Sequence, residues 1–188
     1  MLKTLLQLWA GAWFVLNKLG LSRKERTTGE VRRRWTIRSW ACYLIGLPAW
    51  FIIFVRADNW LVLTVEAVCI VPIVLIIYAA AKRHEEEEAE WTDWLARAAV
   101  VVGIALSAWK LDGFNRPTQL LELGSNIGML VGAYQLRRER LSGYLWFLLM
   151  NGSMGVLMFM QDNPVLGVVQ AASLVFVLDA YRIKRQRQ

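Results

Sequence analysis

The sequence predicts an all-α, polytopic membrane protein with seven transmembrane helices, arranged as two parallel three-helix repeats joined by a linker helix. Three observations predict it. Of 188 residues 56% are hydrophobic, and they gather in long runs rather than in the short patches of a soluble domain. Each run approaches the ~20 residues that carry a helix across the ~30 Å hydrocarbon layer. Basic residues cluster at the run ends, on alternate sides.

The expected spans are residues 5–19, 40–55, 60–81, 91–109, 118–136, 143–160 and 165–181. The first follows Lys3 and has a signal-peptide flavour, but it lacks an A-x-A cleavage site and is long enough to span, so it is read as a helix. A long basic loop is expected between it and the second span. The second and third carry Pro48 and Pro72 mid-helix, where proline kinks a span. The fourth is the weakest, because Arg97 lies one turn inside it and must snorkel back to its interface. Before it runs His84–Glu90 (HEEEEAE), read as a solvated linker, with a metal or partner tail as the sharper alternative. In the fifth, Gly124, Gly128 and Gly132 repeat every four residues, a spacing that lets two helices approach closely. The sixth ends at the turn Gln161-Asp162-Asn163-Pro164, and the seventh is closed by Arg182, Lys184, Arg185 and Arg187.

With these spans, 18 Lys and Arg residues fall on one side and 4 on the other. The expected location is the bacterial inner membrane, and that asymmetry predicts an amino terminus outside and a carboxyl terminus in the cytoplasm. The net charge of +7 is thereby explained by topology, and nucleic acid is not an expected partner. The expected partners are a small molecule and membrane lipid, with a second copy of the chain also admitted. Cys42 and Cys69 lie in apolar runs and are read as packing residues. His84 is the sole histidine, so no metal site is expected; nor is a cofactor or an enzymatic activity.

An internal repeat organises the chain. Asp58-Asn59 recurs as Asp162-Asn163, and Glu66-Ala67 as Gln170-Ala171, both at an offset of 104. In the first helix of each half, Leu5-Leu6-Gln7-Leu8 matches Leu120-Leu121-Glu122-Leu123 at an offset of 115. The expected units are therefore a first three-helix bundle over 1–82, an acidic linker and linker helix over 83–112, and a second bundle over 113–188. Gln7, Glu66, Glu122 and Gln170 lie at similar depth below the outer helix ends. Polar groups within a span are costly in lipid, so they are expected to face an interior pocket, joined by Asn126 and Asn151; Trp146, five residues before Asn151, can border the same groove. For Glu66 and Glu122 the competing reading is access to water or pairing with Lys110 or Arg116. For Asn126 and Asn151 it is helix–helix hydrogen bonding, and for the deeper tryptophans Trp9, Trp13 and Trp50 it is packing. Trp35, Trp60, Trp91, Trp94 and Trp109 read as an interfacial belt.

The segment Gly143-Tyr-Leu-Trp146-Phe-Leu-Leu-Met-Asn151, with the short turn and helix that follow, resembles the PnuC-type vitamin transporters. The family's W-x-x-W pattern is matched at Trp146, with Gly143 at its first position, and Glu66 stands at a glutamine position. The resemblance implies a three-plus-one-plus-three plan similar to that of full-length SWEET transporters. It also implies that Trp146, Asn151, Glu66 and Gln170 surround a substrate. The implied activity is facilitated diffusion of a small aromatic vitamin or nucleoside such as nicotinamide riboside. A SWEET-like sugar facilitator and a non-transporting scaffold subunit are the alternatives.

Overall fold

A computed structural model describes residues 2–57, 60–82 and 117–187, with scattered helical positions between 94 and 109. Six helices are described along their length: α1 (Leu2–Arg26), α2 (Gly29–Arg56), α3 (Trp60–Lys82), α4 (Pro117–Arg137), α5 (Ser142–Met160) and α6 (Pro164–Gln186). No strand occurs among the described residues. The acidic run His84–Glu90, most of the expected fourth span, Asp58-Asn59 of the repeat, and Lys110 and Arg116 lie outside them.

Four helical segments are long and apolar enough to cross a membrane: Gly29–Arg56, Val62–Lys82, Ser142–Met160 and Pro164–Gln186. The expected first and fifth spans correspond to α1 and α4, which fall short of that measure. The reason is their polar content, such as Asn17 and Lys18 in α1 and Glu122, Ser125 and Asn126 in α4. Burial inside the protein, rather than lipid contact, accommodates most of these residues.

The long basic loop expected between the first two spans is absent. Only Thr27 and Thr28 separate α1 from α2, and the charged residues around them are helical. Lys, Arg and Glu are good helix formers, and here they pair across the helix ends, so nothing breaks the helices at the hydrophobic boundary. The turns Arg138–Arg140 and Gln161–Asn163 share one closure. Glu139 and Asp162 take the left-handed conformation, at φ 53° and 55°. The amide of Arg140 donates to Gln135 and that of Asn163 to Met158, capping α4 and α5 with Schellman bonds.

Each helix packs against its neighbours in sequence, and α6 returns to α1, closing a ring of six. The short connections make successive helices antiparallel within α1–α3 and within α4–α6. Gln7 meets Asn163, Gly11 meets Val169 and Ser22 meets Asp179, so α1 and α6 run in the same direction. It follows that α3 and α4 are also parallel.

Side chains fill the ring. Trp40 of α2 meets Phe147 of α5 edge-on at 6.2 Å, and the Tyr43 hydroxyl reaches Met129 of α4. Buried positions recur between halves at the offset of 104: Trp40, Tyr43, Trp50, Cys69 and Ile73 match Tyr144, Phe147, Met154, Ser173 and Val177. At the offset of 115, Phe14, Lys18 and Leu21 match Met129, Ala133 and Leu136, all buried. The glycine spacing of α4 does what it foretold. Gly124, Gly128 and Gly132 lie against Ser153, the Trp146–Met150 backbone and the Phe147 ring of α5.

Candidate functional site

One small cavity sits inside the ring, and every described helix contributes to its wall. Phe14 comes from α1, Tyr43, Trp50 and Phe54 from α2, Glu66 from α3, Ser125 from α4, Met150 and Met154 from α5, and Gln170 from α6. Its volume is about 10 Å³, room for roughly one water. The aromatic packing around it is tight: Phe14 meets Trp50 at 6.0 Å and Trp50 stacks on Phe54 at 5.3 Å.

Two of the seven sequence-predicted site residues, Glu66 and Gln170, line this cavity together. They are the pair that the expected repeat relates at an offset of 104. The Tyr43 hydroxyl donates to the Glu66 carboxylate. Gln170 is 2% exposed, and its Oε1 has no hydrogen-bond partner among the described residues. Asn126 and Asn151 are buried beside the cavity without lining it. Asn151 spends its amide on the Phe147 carbonyl at 2.5 Å, back-bonding within its own helix, while its Oδ1 and the Asn126 Nδ2 have no partner.

The other three predicted residues are placed differently. Gln7 lies at the far end of the ring, donating to Asn163 Oδ1 at 2.7 Å, and so ties α1 to the start of α6. Glu122 is half-buried on α4 away from the cavity wall. Trp146 is also half-buried, and what it brings to the interior is its backbone carbonyl against Gly128. Of the deeper tryptophans only Trp50 faces the cavity; Trp9 is half-exposed, with its indole donating to the Ile45 carbonyl at 3.1 Å.

Sequence reasoning missed Lys18. Taken there only as one of the 18 cations of the basic side, it is 0% exposed in the ring interior. Its ammonium sits 4.5 Å from the Phe14 ring and 4.1 Å from the Phe147 ring, without a hydrogen-bond partner, and is attracted by Glu66. Stacking between two aromatic faces is a setting in which a desolvated cation is stabilised. The available clue was spacing: Phe14 and Lys18 are i, i+4 and share a helix face.

A second, larger hollow of about 930 Å³ opens at the basic end of the ring. Glu25 of α1, Arg32, Arg33 and Thr36 of α2, Ile76 and Ala80 of α3, and the turn after α4 contribute to its wall. Along α1, Lys18 falls between Phe14 of the cavity and Glu25 of this vestibule. Lys18, Phe147 and Trp40 therefore form the partition between the two hollows. At the vestibule's floor an ion-pair network joins three helices and a turn. Glu139 accepts from Lys24, from Arg32 at 2.7 Å and from Lys184 at 2.9 Å, and Glu25 accepts from the Tyr144 hydroxyl at 2.7 Å.

Burial works against the charge of Glu139, but Lys24, Lys184 and Arg32 outweigh it and hold the carboxyl down to about 2. A carboxylate with a depressed pKa adds stability that is present above its unfolded value and lost as pH falls through the folded one. The purified protein is expected to lose thermal stability in detergent as pH drops from about 4.5 toward 2. Glu139→Gln should flatten that dependence. An unchanged pH profile in the variant would show that the network contributes no stability.

Among the described residues no group of His, Cys, Asp and Glu is arranged to hold a metal, and both cysteines are free thiols. Compared with protein-family models, with curated proteins and with solved structures, the chain gave no match, so the PnuC resemblance rests on the residues quoted for it alone.

Proposed function

We propose that the chain is a membrane facilitator for a small, neutral, hydrogen-bonding solute with an aromatic ring, of the vitamin or nucleoside class. The observation that carries this reading is the central cavity, which draws wall residues from all six described helices and combines Glu66, Gln170 and Ser125 with Phe14, Tyr43 and Trp50. Unspent donors and acceptors nearby (Lys18 Nζ, Asn126 Nδ2, Asn151 Oδ1, Gln170 Oε1) are costly unless a ligand meets them. Lys18 also bears on substrate charge. It already supplies a cation opposite Glu66, so within that class a neutral solute fits better than the cationic nicotinamide riboside.

In this reading the seven-span plan holds, with the two bundles of like orientation meeting around the cavity and the basic end facing the cytoplasm. The cavity lies between Lys18, Phe147 and Trp40 on the vestibule side and Trp50, Phe54 and the Gln7–Asn163 bond at the other end. Transport requires these to part in turn, and the mid-helix prolines Pro48 and Pro72 offer the bends. The small volume of the cavity also favours a second reading, a static scaffold subunit.

Thermal shift and proteoliposome uptake separate these readings, with vitamins, nucleosides and sugars as the probes. Stabilisation and uptake of a vitamin or nucleoside are expected, lost in Glu66→Gln and Trp50→Ala and retained in Trp146→Ala. A response confined to sugars would support a sugar facilitator instead. Silence toward every solute in both assays would leave the scaffold reading.

A further inference from the structure

We propose that the basic vestibule is a binding site for a phosphate-bearing anion, separate from the central cavity and independent of the transport reading. Its volume of about 930 Å³ admits a phosphorylated small molecule or a lipid headgroup. Seven arginine and lysine side chains line it against two carboxylates, Glu25 and Glu139. Both carboxylates are already engaged, Glu139 by three cations and Glu25 by Tyr144, with Lys24, Lys184 and Arg32 within 4.0 Å of it.

Orienting a protein in a membrane needs positive charge on one side, and it does not need that charge to converge. Cations serving topology alone would gain by spreading outward to water and headgroups. Here Lys184 and Arg137 are 6% and 7% exposed, and cations from α2, α4, the following turn and α6 face one hollow. Gathering like charge around a concave, partly apolar wall focuses a positive potential. Arg140 points into it with no ion-pair partner among the described residues. The low pKa of the Glu139 carboxyl reports the same field. Arginine's planar fork matches phosphate oxygens two at a time, which favours phosphate over a halide or a simple carboxylate.

The test uses the purified full chain, titrated at constant ionic strength with glycerol phosphate, with short-chain phosphatidate, and with acetate and chloride as controls. Saturable stabilisation by a phosphate compound is expected, weakened about tenfold or more in the double variant Arg140→Gln, Arg187→Gln. Both side chains are exposed, so the unliganded melting temperature should stay near that of the parent. Glu66→Gln, which disturbs the central cavity, should leave phosphate affinity unchanged. A response to phosphatidate but not glycerol phosphate assigns the site to a lipid headgroup, and the converse assigns it to a soluble phosphate ester. Equal responses to acetate or chloride, no saturable response, or undiminished binding in the double variant would each overturn the proposal.

Discussion

Gly128→Leu is expected to prevent the ring from closing, leaving little monodisperse protein in detergent and a melting transition many degrees lower. A Cβ at Gly128 meets the Met150 amide nitrogen and the Trp146 carbonyl oxygen, each at 2.7 Å. Both obstacles are backbone, so no rotamer change makes room and α4 must move away from α5. Overpacking a core typically costs ~1–3 kcal/mol, and a whole isobutyl group against main chain belongs at or beyond the upper end. A total stability of ~5–15 kcal/mol does not absorb that easily. The control is Gly152, on α5, where a Cβ meets nothing within 4 Å. Gly152→Ala should be neutral or stabilising by up to ~1 kcal/mol, since alanine is the better helix former. Equal melting temperatures for Gly128→Leu and the parent would refute the packing of α4 on α5.

The second large effect is expected at the buried charges. Lys18→Met leaves Glu66 as an uncompensated carboxylate in the ring, tied only to the Tyr43 hydroxyl. No contact ion pair joins Lys18 and Glu66 among the described residues, so the loss should fall below the ~3–5 kcal/mol typical of breaking a buried salt bridge. Pairing the change with Glu66→Gln should recover most of the loss, since Gln170 already occupies the equivalent place in the other half as a neutral residue. The measurement is a double-mutant cycle on denaturant or thermal midpoints. Additive losses in the double variant would show that Lys18 and Glu66 do not sense each other. Methionine also suits the space between Phe14 and Phe147, so lost coupling rather than lost volume is what the cycle reports.

Much of the architecture was legible because its causes are local. Apolar runs of membrane length, basic clusters at their ends and the Gln161–Pro164 turn mark helix after helix without knowledge of their neighbours. The glycine spacing in α4 named its own role for the same reason, since a four-residue repeat of small side chains produces a flat stripe on any helix. The offsets of 104 and 115, read from few identities, also pair several buried positions. What misled was the assumption that a helix stops where hydrophobicity does. Lys18, at the end of the first expected span, and Lys24, beyond it, then counted only as cations that set topology, although α1 runs on to Arg26 and buries both.

The sequence by itself determined an all-helical chain with membrane-length apolar helices and with polar residues at set depths along them. Depth follows from residue number at 1.5 Å per residue, so it needs no tertiary knowledge. Only the tertiary structure decided azimuth, meaning which way each helix turns its polar residues once its neighbours have packed. That choice brought Glu66 and Gln170 into one cavity, sent Gln7 to Asn163, left Glu122 and Trp146 off the cavity wall, and placed Lys18 between two phenylalanine rings. A rotation of one residue, about 100°, moves a side chain from the ring interior to its outer face. That rotation is set by close packing against distant partners, such as Asn163, which lies 156 positions along the chain from Gln7.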